Sequence, residues 1–302
     1  MLKRKIFKKV CVGILIVLFI VIINVFPKEN NNKYIVSTFN NNGYIYLLDN
    51  NNYVSKVNIS FKNNILDNQI LEIIDILTIN NKNKIRDGFS AIIPENTKLL
   101  NYNVTNNIVT LNFNKNIKNI NNSFERKMIE CIVFSLLELK GINGVKILVE
   151  DKLFSNLYPE IMDKNIGINT QTNIDSINNI SSTTIFYLAK YNDYSYYIPV
   201  TKYTNNTKEK INIIIDELKS STTYNTNLVN YLNEYVTLVS SDISDSSVIL
   251  NFSNLSKEDL SEEVKYAINS SIYSNYEIKN VFYYINDILI DNYFLSLGWV
   301  YK

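Results

Sequence analysis

The chain has no histidine, and its 302 residues include only two cysteines, four prolines, seven glycines and one tryptophan. Without histidine there is no imidazole base, no His zinc ligand and no Ser-His or Cys-His pair. Cys11 and Cys131 are too few for a disulfide framework or a thiolate metal centre. A charge excess is missing too, because 30 Lys and Arg face 29 Asp and Glu. Five of the cations, Lys3, Arg4, Lys5, Lys8 and Lys9, precede residue 10. The remainder is therefore slightly acidic and offers no surface for a phosphate backbone, so no nucleic-acid partner is expected. What is abundant is apolar material: 46% hydrophobic against 20% charged residues argues against disorder and suffices for two ordinary domains or one large one.

After the basic tail of residues 1–9, the apolar run 10–26 is long enough for about 26 Å of helix at roughly 1.5 Å per residue. The positive flank before it and the single Lys28 close behind it predict an uncleaved, single-pass signal anchor. Asn24-Val25-Phe26-Pro27 offers no small-residue cleavage site, and Cys11 precedes the apolar run that a lipid-modified cysteine would follow. On this reading the membrane is a partner through residues 10–26, the amino terminus is cytoplasmic, and the rest lies outside the membrane behind a tether at 27–42.

Beyond the tether, segments recur in order at offsets of 136 to 141 residues. Tyr46-Leu47 and Tyr53 return as Tyr187-Leu188 and Tyr194, and Ile73 to Leu77 returns as Ile214 to Leu218. Val109 to Asn114 returns as Val248 to Ser253, and Val145 to Leu153 as Val281 to Leu289. The chain therefore reads as a duplication, with a first domain at 43–166, a linker at 167–182 and a second domain at 183–302. Each is expected to fold by itself.

Within a copy, an opening hairpin (44–48 with 54–61; 184–188 with 194–201) precedes a helix carrying Leu66, Ile70, Ile73, Ile74 and Leu77, or Ile211, Ile214, Ile215 and Leu218. Two strands follow (98–103 and 108–114 in the first copy), then a helix from about Phe124 to Leu139, capped by Asn122 or Ser123 and stopped by Gly141. Its counterpart starts after Ser256 or Ser261. A strand from Val145 and a last hairpin turning at Glu150-Asp151, or at Asn286-Asp287, close each copy. The order β-β-α-β-β-α-β-β fits an α+β fold: two similar domains, each a mostly antiparallel sheet packed on one face by two helices, after an N-terminal transmembrane helix.

Ile93-Pro94-Glu95-Asn96-Thr97-Lys98-Leu99-Leu100, Val109 to Phe113 and Val145 to Lys152 resemble the GerM domain, the sporulation and spore germination domain of spore-forming bacteria. Asn96 stands at the glycine of the family's turn, and Asp151 where a glycine usually closes the last hairpin. In the second copy Tyr231 to Val236 replaces the proline turn, while Val248 to Phe252 and Ile285-Asn286-Asp287 are retained. The resemblance covers about 44 to 160 and 184 to 298, and the lipobox common in the family is absent at Cys11. It implies envelope work in spore formation or germination, with envelope protein partners that include components of a channel ring between mother cell and forespore. It implies no catalytic set.

The residues nominate no catalytic, cofactor-binding or metal-binding site, and no cofactor. Asp75 and Asp216 read as solvent edges of amphipathic helices, Glu150-Asp151-Lys152 as a hairpin tip with no calcium-loop spacing, and Cys131 as a buried thiol. Ser181-Ser182 and Ser246-Ser247 have no basic partner in any local pattern. The crowded tyrosines at 191–197, 273–276 and 283–284, several of them expected on the surface, suit protein contacts or sugar stacking, or reflect base composition. The expected function is a non-catalytic envelope scaffold; a peptidoglycan-binding module is the alternative and a wall hydrolase the third reading.

Overall fold

The computed structural model describes residues 41–79, 85–219 and 232–294. The basic tail, the apolar run with Cys11, the tether up to residue 40, and Tyr231 lie outside the described residues. The first copy opens with the antiparallel hairpin β1 (Asn42–Asp49) and β2 (Val54–Ser60), followed by helix α1 (Leu66–Leu77) and the short β3 (Phe89–Ser90). Ile70, Ile73, Ile74 and Leu77 of α1 are buried, as their spacing requires. Then come β4 (Leu99–Thr105), β5 (Ile108–Phe113), helix α2 (Asn122–Leu137), β6 (Gly144–Val149) and β7 (Lys152–Leu153).

A strap with β8 (Gln171–Asn173) leads to the second hairpin, β9 (Ser181–Tyr191) and β10 (Tyr194–Thr204). The second copy continues with α3 (Lys210–Lys219), β11 (Thr237–Ile243), β12 (Ser247–Ser253), α4 (Glu262–Asn275), β13 (Asn280–Ile285) and β14 (Ile288–Phe294). Asn121 caps α2 by accepting from the Ser123 amide, and Ser261 caps α4 by accepting from the Val264 amide.

The sheets differ from the expected one per copy. In each copy four strands form a separate sheet, β4-β5-β6-β7 or β11-β12-β13-β14. Its central pair, β5–β6 or β12–β13, is parallel, because α2 or α4 forms the crossover between the two strands. The two opening hairpins leave these sheets and join each other through β2 and β10, giving one sheet ordered β3-β1-β2-β10-β8 with β9 on β10. Each crossover helix is thus sandwiched between the joint sheet and its own four-stranded sheet, which is why α4 buries nine consecutive residues from Val264 to Ile272.

Duplication is visible in fine detail. A bulge interrupts the β4–β5 ladder between Leu99 and Asn101, and another interrupts β11–β12 between Leu238 and Ser240, the equivalent place. Ser135 Oγ on α2 accepts from the Tyr46 amide at 2.8 Å, and Ser271 Oγ on α4 from the Phe186 amide at 2.9 Å. Both last hairpins turn on two positive-φ residues, Glu150-Asp151 and Asn286-Asp287. The glycine-poor sequence fills such positions with asparagine: among the described residues, nine of the twelve non-glycine positive-φ residues are Asn, including Asn96 at φ 65°.

The membrane-spanning part of the expected fold class needs correction. No helix among the described residues is long and apolar enough to cross a membrane. The longest, α2, has 16 residues, including Glu125, Arg126, Lys127 and Glu130. At roughly 1.5 Å per residue it reaches only about 24 Å, and it is committed to the core. The span expected at 10–26 lies outside the described residues, and no described helix takes its place. The fold is therefore two mostly antiparallel sheet domains packed by helices, and the single-pass placement and membrane partner drawn from residues 10–26 are withdrawn with that helix.

Candidate functional site

The seam between the hairpins brings together residues whose chemistry local sequence does not reveal. Along the outer edge of β10, Tyr197 pairs with Lys56 of β2. Two residues on, Pro199 has no N–H to give. Its carbonyl accepts instead from Asn169 Nδ2 at 2.8 Å, and the same amide group donates to Val54 O at 2.8 Å while Oδ1 accepts from Val54 N at 2.9 Å. One strap side chain thus replaces a missing rung. Further along, Thr201 N donates to Ile168 O at 2.8 Å, and β8 then pairs in parallel with Lys202 to Thr204.

The strap is held from below by α2. Asn169 N donates to Glu130 Oε2 at 3.0 Å, and Arg126 Nε donates to Glu130 Oε1 at 2.8 Å. The Arg126 guanidinium also donates to the carbonyls of Ile166 and Gly167. Burial pushes the Glu130 carboxyl above its ordinary pKa, outweighing Arg126 and the Asn169 amide.

Beside the seam, Lys56 is 2% exposed and its Nζ lies 2.6 Å from Glu138 Oε1. Tyr46 donates its hydroxyl proton to the same oxygen at 2.9 Å. The ammonium lies 4.4 Å from the Tyr44 ring centroid, with Tyr46, Phe186 and Tyr266 within 6 Å. Burial lowers the Lys56 pKa against the upward pull of Glu138, and burial followed by the Glu138 charge raises that of Tyr46. A groove of about 520 Å³ opens here between the C-terminal ends of α2 and α4, floored by Tyr46, Lys56, Thr184 and Phe186.

The crowded tyrosines are buried or half-buried, and several are tied into the fold. Tyr196 is buried, donates to Asp49 Oδ2 at 3.2 Å and packs edge-on against Phe89 at 4.8 Å. Tyr194 accepts from the Asn58 amide at 3.0 Å, Tyr197 packs 4.4 Å from Tyr266, and Tyr283 is buried with its hydroxyl on Asn269. The tyrosine that is well exposed, Tyr235 at 69%, lies outside those crowded stretches.

The remaining sequence candidates stay apart. Asp216 is exposed and pairs with Lys208 and Lys219, and Asp75 is half-buried on α1. Glu150-Asp151 forms the hairpin tip, where Asn112 clamps Asp151: Nδ2 donates to Oδ1 at 2.7 Å, and the Asp151 amide donates to Asn112 Oδ1 at 3.0 Å. Asn251 and Asp287 repeat the clamp at 2.6 and 3.1 Å. Cys131 is buried and its thiol pKa is raised by that burial. Ser181-Ser182 and Ser246-Ser247 lie at or just before the starts of β9 and β12, and none of the four lines the groove. Among the described residues no cluster of acidic or thiol side chains could hold a metal ion. The sequence reading missed Lys56, Glu130, Glu138 and Asn169; the one available signal was a lysine enclosed by the apolar strand Val54 to Val57.

These features define a class: a duplicated α+β protein fused through a shared sheet, with a groove but, among the described residues, no catalytic constellation. Residues 44–153, the first copy, match the family described as Germane, sporulation and spore germination, so that part of the chain carries a domain of that family. The spore germination protein GerM of Bacillus subtilis is 28% identical over 178 residues, covering 55% of this chain and 48% of the relative. The matched region thus spans about half the length of that curated relative. The solved tandem GerMN domains of Bacillus subtilis GerM share the fold, with a TM-score of 0.73 and 23% identity over 82% of this chain and 91% of that one.

Proposed function

We propose that the protein is a non-catalytic scaffold of the cell envelope acting in sporulation or spore germination. Its two copies, 43–166 and 183–302, with the strap 167–182 between them, present related surfaces to protein partners in a complex between mother cell and forespore. The observation that carries this reading is a repeated surface feature. The residue at the equivalent bulge of each outer strand is a large exposed apolar one, Leu100 at 51% and Val239 at 58% exposure. Two such contact points, one on the outer strand of each four-stranded sheet, suit bivalent engagement, in which the second contact forms at high effective concentration.

Photo-crosslinking amino acids at positions 100 and 239, used in sporulating cells with mass spectrometry of the captured material, test it. Capture of one envelope protein from both positions is the expected result. Capture of wall fragments alone would favour the peptidoglycan-binding alternative, and loss of sporulation with no protein captured from either position would remove the scaffold reading.

A further inference from the structure

The groove beside the seam is a built cavity with unsatisfied polar atoms. Its volume is about 520 Å³, and Phe134, Leu137, Phe186 and Tyr273 give it apolar walls. Glu138 spends one carboxylate oxygen on Lys56 and Tyr46, but its Oε2 is buried without a hydrogen-bond partner among the described residues. Across the groove on α4, Ser270 is 4% exposed and its Oγ is also without one. A buried acceptor left unmatched is costly, so two in one groove, one at the C-cap of α2 and one on α4, point to something that donates to them.

The charges lining the groove give the sign of that donor. Lys56 and Lys164 are outnumbered by Glu138, Asp163 and Glu277, so a single positive charge balances the lining. The walls set its shape, since rings and Leu137 suit an aliphatic stem and also attract a cationic head. Phe186 already lies 5.7 Å from the Lys56 ammonium, so this ring serves a cation in the folded chain.

We propose that this groove receives the basic side chain, lysine or arginine, of a protein partner, its stem along Phe134, Phe186 and Tyr273 and its N–H groups on Glu138 and Ser270. Entry is through the face where Glu138 keeps 14% of its side-chain surface and Tyr273 is half-exposed, so a small rotation of the Glu138 carboxyl presents Oε2 to the guest. The proposal rests on the scaffold reading for its source of basic side chains.

Nα-acetyl-arginine amide and Nα-acetyl-lysine amide are titrated into the perdeuterated full chain while amide chemical shifts are followed, with Nα-acetyl-norleucine amide as the uncharged control. Saturable shifts at Phe134, Ser270 and Tyr273 with a basic probe, and binding of the norleucine probe weaker by roughly ten-fold or more, are expected. Ser270→Ala should weaken binding several-fold, and Ser274→Trp, which fills the groove without touching the Lys56 pair, should abolish it. Glu138→Gln is informative only if the amide spectrum stays folded; the two serine variants decide the matter otherwise. No saturation with either basic probe, equal binding of norleucine, or binding undiminished in Ser274→Trp would overturn the assignment. The failures are distinguishable: partners captured in cells with no probe binding removes the groove alone, whereas probe binding without captured partners leaves a cation groove and removes the scaffold.

Discussion

The two copies agree on backbone devices and disagree on charge. Both keep the Asn–Asp clamp at the last hairpin, the helix serine that accepts a strand amide, and the bulge of the outer strand. Among the described residues only the first copy buries a Lys–Glu pair next to the seam; the second copy's Lys202–Glu217 and Lys265–Asp291 pairs are more open to solvent. Devices that satisfy backbone groups have a fixed geometric job and survive divergence. Charged pairs depend on what each copy packs against, and the two copies have different neighbours.

The largest expected difference is therefore between the ion pairs. Glu138→Ala leaves Lys56 buried without its carboxylate and should cost about 3–5 kcal/mol, whereas Glu217→Ala should cost about 1 kcal/mol, both read from urea unfolding of the full chain. The double change Lys56→Met with Glu138→Leu should recover most of the first loss, because it removes both charges together. Equal losses for the two single variants would mean that burial does not separate the copies.

Next comes the seam. Asn169→Ala removes the side chain that substitutes for the missing rung at Pro199 and strands the Val54 amide, for about 2–4 kcal/mol. Hydrogen exchange at Val54 should accelerate more than at the Leu111 amide in the four-stranded sheet of the same copy. If both accelerate alike, the seam and the core unfold as one unit and the comparison fails.

A third contrast is in pH. Asp49 and Glu130 of the first copy are held above their ordinary pKa values by burial, against the hydrogen bonds they accept. In the second copy Asp259 is held below by the amide and hydroxyl of Ser256; for Asp291, burial pulls up but the Lys265 ammonium outweighs it. A carboxylate raised by folding contributes stability that is complete below its unfolded pKa and lost as pH rises through its folded one. A lowered carboxylate contributes stability that is present above its unfolded pKa and lost as pH falls through its folded one. In unfolding series across the acid range, Glu130→Gln should flatten the loss on raising pH above 4.5, the ordinary Glu value. Asp291→Asn should flatten the loss on lowering pH below 3.8, the ordinary Asp value. Slopes unchanged in both variants would contradict the assignment.

The smallest effect should be the one the copies share. Asn112→Ala and Asn251→Ala should each cost about 1–2 kcal/mol and should add within about 0.5 kcal/mol, since the clamps lie in separate sheets. Strong coupling between them would show that the four-stranded sheets communicate through the seam.

Much of this was legible in the chain. The apolar spacing of Leu66, Ile70, Ile73, Ile74 and Leu77 gave the first helix, and the recurrence of Val109 to Asn114 gave a duplicated strand because a strand buried on one face repeats every second residue. The tyrosines were less legible, because alternation tells which face a ring takes and not whether a second hairpin covers that face. Lys56 was signalled only by its apolar strand neighbours: its partner Glu138 lies 82 residues away, and in local sequence a strand lysine otherwise reads as solvated.

Side-chain period, caps and residues tolerant of positive φ act within a few neighbours, so the sequence alone determined the elements, their turns and the duplication. Which strand edges meet was decided only in the tertiary structure. Every extended edge offers the same N–H and C=O groups whatever its side chains, so nothing local in β2 or β10 states that each pairs with the other. That choice, made by packing the two copies together, forms the joint sheet, draws Asn169 into the gap at Pro199, and sets Lys56, Glu138 and Ser270 around one groove.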